Sequence, residues 1–162
     1  MSKLFKLPNE LKLKLGMRVN IKDNGQIDPK KIEDAKAIIA KACERSGETI
    51  SIHLEELIAV WQKMKTLPES LERELQAKKI FTLAHEIKDI GGLCGYSLIA
   101  HFGESLRDYI DQTALNLKNQ QIIIQAHIDA MNTVHKNNLR EDGGPAADEL
   151  KRIVKIAIEK YH

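Results

Sequence analysis

A chain of 162 residues is the size of one compact domain, too short for two independently folded halves, which excludes a kinase or a two-domain dinucleotide enzyme. It is 43% hydrophobic and 30% charged but only 4% aromatic, with nine Gly and four Pro, a balance that favours helices over the many tight turns of a sandwich or barrel. Basic residues number 25 against 23 acidic, so no overall field draws the chain to nucleic acid or an anionic membrane, and neither is expected as a partner.

The charge is unevenly placed. Residues 1–22 carry Lys3, Lys6, Lys12, Lys14, Arg18 and Lys22 against Glu10 alone, a formal +5, which leaves −3 for the rest. Within this basic arm Leu11, Leu13, Leu15, Met17, Val19 and Ile21 alternate with mostly polar residues, the period of a strand with one apolar face, and Asp23-Asn24-Gly25 reads as a turn. A lone strand cannot stand by itself, so the arm of residues 1–27 either lies on the helical domain, pairs with a second copy or waits for a partner to order it.

From Asp28 the period becomes helical. Asp28 as N-cap and Pro29 at the first position predict a helix over 29–45 that ends near Gly47. A second is expected over 49–65 with Ile52, Leu54, Leu57, Ile58 and Trp61 turned inward, followed by helices over 69–94, 96–115, 119–140 and 145–161. Pro68 and the run Glu141-Asp142-Gly143-Gly144 mark breaks. Amphipathic helices with short connections pack beside one another, so residues 28–162 are expected to form an all-α domain: an antiparallel four-helix bundle with one or two flanking helices. Cys43 and Cys94, far apart and without a Cys-x-x-Cys spacing, read as small buried apolar residues of a reducing compartment. No apolar run approaches bilayer length, and Met1-Ser2-Lys3-Leu4-Phe5-Lys6 lacks a leader pattern, so the expected location is the cytoplasm.

The third helix carries the chemistry. At about 100° per residue, Ile80, Leu83, Ala84, Ile87, Ile90, Gly91 and Cys94 share an arc that faces the core. Phe81, His85, Lys88 and Gly92 recur at spacings of four, three and four on the opposite flank, which sets an imidazole and an ammonium side by side as an anion site. A glycine inside a helix costs about 1 kcal/mol relative to alanine, so Gly91 and Gly92 point to a close approach of some other group.

Ala84-His85-Glu86-Ile87-Lys88, with Gly92, Gly95 and Tyr96 following, resembles the signature of the histidine-containing phosphotransfer family. The similarity extends from about Asp28 to the C-terminus, and residues 98–106 and 126–131 resemble stand-alone alphaproteobacterial members. The resemblance implies a four-helix bundle in which His85 accepts a phosphoryl group from a receiver aspartate and hands it to another receiver. Lys88 would be its charge partner, and Phe81, Asp89, Gly92 and Gly95 would lie on the docking surface. It also implies receiver domains and a hybrid histidine kinase as partners, no kinase activity of the chain's own and no cofactor or metal, the metal ion being the receiver's. Imidazole suits this role because much of it is unprotonated at neutral pH and phosphoryl transfer asks chiefly for positioning and charge compensation.

One residue departs from that pattern. The position after the lysine is normally glycine in the family, and here it is Asp89, whose charge at about 6 Å opposes a phosphoryl group by on the order of 1 kcal/mol and adds bulk to the docking face. This leaves open a second reading, a helical adaptor that binds receivers or other proteins without carrying phosphate. His53, His101, His127, His135 and His162 show no His-Glu-x-x-His spacing, the single Glu159-x-x-His162 has no second pair to complete a metal site, and all five read as surface or partly buried structural residues. Gly91-Gly92-Leu93-Cys94-Gly95 lacks the Lys-Ser/Thr of a nucleotide loop.

Overall fold

The computed structural model describes residues 28–113, 117–140 and 143–161, except for the side chains at 117 and 118. The strand and turn expected over 11–25 lie outside these residues. Among them the fold is all helical: α1 (Pro29–Cys43), α2 (Ser46–Thr66), α3 (Leu71–Leu93), α4 (Ser97–Gln112), α5 (Leu117–Lys136) and α6 (Pro145–Tyr161). Two units divide at 36/37, inside α1. The described part of the first, residues 28–36, opens α1, where the Asp28 carboxylate accepts from the Lys30 N–H at 3.0 Å as expected of an N-cap.

In the second unit, residues 37–162, helices α2 to α5 close a ring in which α2 packs on α3, α3 on α4, α4 on α5 and α5 back on α2, while α6 lies against α5. Trp61, Phe102, Leu57, Ile80, Ile87, Leu106 and Ile123 fill its interior. The Trp61 indole N–H donates to Gln125 Oε1 at 2.8 Å and ties α2 to α5. Helix α2 begins earlier than expected, at Ser46, and its inward stripe is Ile50, Leu54, Leu57, Trp61 and Met64. Ile52 is therefore turned out and 57% exposed, because it stands two residues, about 200° of helical rotation, from Ile50 and from Leu54. Helix α5 likewise stops at Lys136 rather than near 140, since Asn138 adopts φ 49° and the Leu139 N–H turns back to the Val134 carbonyl at 3.0 Å.

The cysteines are not the free, buried residues expected from their spacing. Cys43 at the end of α1 and Cys94 at the end of α3 form a disulfide, with Cα atoms 5.3 Å apart. A separation of 51 residues hid the pair, because only the chain reversals of α2 and α3 bring the two helix ends together. By the chain-entropy argument, a loop of this length stabilises the fold by about 4 kcal/mol.

His127 is wholly buried. Its Nδ1–H donates to the Ile123 carbonyl at 2.7 Å, so Nε2 accepts from the Ser105 hydroxyl at 2.8 Å, and the Tyr109 ring stacks against it. Burial, with the charge of His101 adding to it, lowers its pKa to about 4, so the ring is neutral and structural, unable to take a proton from Ser105 near neutral pH. The unfolded ring binds a proton below about 6.5 and the folded one only below about 4, so stability falls as pH drops through that window. The expected loss is about 3 kcal/mol, read from urea unfolding at a series of pH values; His127→Leu should flatten that slope, and an unchanged slope would move its origin elsewhere.

Candidate functional site

The site is built on the middle of α3. Ser70 starts this helix, its hydroxyl accepting from the Arg73 N–H, and Gly95 ends it at φ +81° with the Tyr96 N–H returned to the Gly91 carbonyl at 2.8 Å. This is the left-handed glycine stop of a helix, so Gly95 is a terminator whatever else it meets. Ile80, Leu83, Ala84, Ile87 and Gly91 are buried as the arc requires, with Ile90 and Cys94 half-buried at its edge.

His85 is on the outer flank with 47% of its side chain exposed, and the Phe81 ring stacks on it at 6.5 Å between centroids and 16° between planes. Lys88 is more enclosed, at 30%. The reason lies on α4: a Cβ at Gly103 would stand 2.9 Å from the Ala84 carbonyl oxygen, 3.2 Å from Lys88 N and 3.3 Å from Lys88 Cβ. Only a residue without a side chain lets the α4 backbone press against α3 directly beneath His85 and Lys88. Gly91 makes the reciprocal contact, a Cβ there meeting the Ala100 amide and the Tyr96 carbonyl at 3.2 Å. Gly92 has nothing within 4 Å of a Cβ and leaves the flank open.

Asp89 sits at the centre of the polar cluster. Its carboxylate accepts from Lys88 Nζ at 3.1 Å through one oxygen, and the other stands 3.4 Å from His85 Nε2. The Lys88 hydrogen bond, with the nearby charges of His85 and Arg107, holds this carboxyl below its usual range. Its negative charge is thus next to the imidazole nitrogen itself. On the adjoining turn His53 of α2 spans the Thr49 carbonyl at 2.8 Å and the Glu86 carboxylate at 3.1 Å, and so fastens α2 to α3 beside His85.

A shallow groove of about 370 Å³ opens next to Phe81, lined by Glu74, Ala77, Lys78, Ile110 and Asp111. A larger one, about 590 Å³, lies on α5 and α6, walled by Ile122, Ala126, Ala130, Leu150 and Ile153 with Lys65, Asp129 and Thr133 at its polar margin. Among the described residues no three His, Cys, Asp or Glu side chains are grouped to hold a metal ion. Gly103 and Arg107 do not stand out in the sequence, and His53 is read there only as a structural residue. Gly103 could have been singled out, because a glycine inside a strongly amphipathic helix carries the same cost that drew notice to Gly91.

No family model, curated protein or solved structure matches this chain.

The two glycines should answer alanine in opposite senses. Gly103→Ala forces α4 from α3 and should cost about 1–3 kcal/mol of unfolding free energy, whereas Gly92→Ala, in open space, should stabilise by up to about 1 kcal/mol. Urea denaturation of both variants checks the pair, and a neutral Gly103→Ala would show that the helices are not in backbone contact.

Proposed function

We propose that the protein is a histidine phosphotransfer carrier, an antiparallel four-helix bundle that accepts a phosphoryl group on His85 from a receiver aspartate and passes it to a second receiver. The observation that carries this reading is an exposed imidazole with an ammonium one turn on, beside the open flank at Gly92. In the forward step a lone pair of the imidazole forms the N–P bond while the P–O bond to the receiver's aspartate breaks, and the carboxylate leaves with that electron pair. Lys88 compensates the phosphoryl oxygens, and receivers with their hybrid kinase, acting in the cytoplasm, are the partners that fit. Phe81 and the groove beside it would offer the docking receiver an apolar hold next to the transferring atom.

Incubation with a phosphorylated receiver, followed by acid-lability analysis of the label, tests this directly. His85→Gln should abolish labelling and leave the unfolding transition within about 0.5 kcal/mol, since the side chain is outside the core. Label retained in that variant would place the chemistry elsewhere.

A second reading, a docking adaptor that carries no phosphate, is favoured by the one carboxylate that already engages both Lys88 and His85. Asp89→Gly separates the two. A carrier loses a competing charge and should label several-fold more, at a cost of about 1 kcal/mol in helix propensity. An adaptor should bind receivers more weakly and gain no label.

A further inference from the structure

Helix α1 ends on a cysteine, and among its described residues that cysteine alone turns inward. Every residue from Asp28 to Ala42 is exposed, whereas Cys43 is half-buried and bonded to Cys94. Ile38 and Ile39 stand 70% and 41% exposed, so burial does little to hold residues 37–43 in place. A helix of 15 residues is also near the length at which one is marginal in water by itself. The disulfide is the attachment that these facts leave.

Its other end belongs to the site helix. Cys94 caps α3, its N–H donating to the Ile90 carbonyl at 3.0 Å, and it falls in the chain between exposed Gly92 and the left-handed Gly95. Cys94 packs on the margin of the core, and both cysteines are half-buried, so the sulfurs are not sealed inside the domain.

We infer that Cys43–Cys94 is a thiol-exchangeable clasp, opened by a small thiol or dithiol reductant, that fastens residues 37–43 of α1 to the C-terminal end of α3. A reductant thiolate attacks one sulfur, the protein S–S bond breaks and the other cysteine leaves as a thiolate. A second reductant thiolate then attacks the mixed disulfide and frees the first cysteine. The protein gains two electrons and two protons, and the reductant departs as its own disulfide. Opening releases the end of α1 from the edge of the surface that carries Gly92, while α2 to α5, held by their own core, stay folded. This inference is independent of any chemistry at His85.

Hydrogen exchange read by mass spectrometry on the full chain, oxidised and then reduced without denaturant, tests the clasp alongside thiol alkylation. Reduction should make both cysteines alkylatable, raise exchange over 37–43 by about tenfold or more and leave the buried amides of α3 and α4 protected. Cys43→Ser and, separately, Cys94→Ala should show the reduced pattern from the outset and ignore the reductant. The inference is overturned if the bond reduces only in denaturant, if 37–43 keep their protection once both thiols are free, or if reduction unfolds α2 to α5.

Discussion

Where α4 crosses α3, the two backbones meet with no side chain between them. Gly103 rests on the Ala84 carbonyl and the Lys88 amide, and Gly91 answers it from α3 against Ala100 and Tyr96. Because interiors are close-packed, these contacts fix how far α4 slides along α3, and that in turn decides which flank of α3 is left outside. His85 and Gly92 stay exposed, and Lys88 is drawn half under cover with its stem beside α4. The polar cluster is thus a product of the packing beneath it, and a methyl group at one position would disturb it more than many changes on the surface.

The cluster's electrostatics turn on a single carboxylate. Asp89 takes a hydrogen bond from Lys88, lies within ion-pair distance of His85 and feels the charge of Arg107. The Lys88 ammonium and the His85 imidazole thus already engage an anion of the chain itself. That anion is exposed, 55% of its side chain meeting solvent, so displacing it costs little desolvation and solvent screens its pairing. Its influence is a bias on the site and no barrier to it.

Much of this was legible in the residue order, for identifiable reasons. The start of α1 was marked by Asp28-Pro29, the break before α3 by Pro68, and the core stripe of α3 by its period. In α2 the expected Leu54, Leu57 and Trp61 do face the core, whereas Ile52 is out of phase with them and its place in the stripe is taken by Ile50. Other features had no local signature. A disulfide between residues 43 and 94 depends on where two helix ends arrive, and the burial of His127 depends on a Ser105 hydroxyl brought from another helix to satisfy its second nitrogen. Long-range coincidences of this kind are properties of the packed chain and cannot be read from a window of neighbours.

Tyr96 lies in the turn between α3 and α4. Its hydroxyl accepts from the Arg140 guanidinium at 2.8 Å, that guanidinium lies 4.3 Å over its ring, and a Cβ at Gly47 would fall 2.9 Å from the hydroxyl. The Ser97 hydroxyl donates to the Arg140 carbonyl at 3.1 Å alongside. The start of α2, the α3–α4 turn and the stretch after α5 are thereby stitched at one end of the helical ring. At the opposite end, where Glu69, Ser70 and Thr113 border a shallow depression, Lys63 of α2 pairs with Glu72 of α3 at 2.9 Å, both side chains more than half exposed. The turn beyond His85 is thus held from three elements at once, which should place it among the last parts of the domain to come apart.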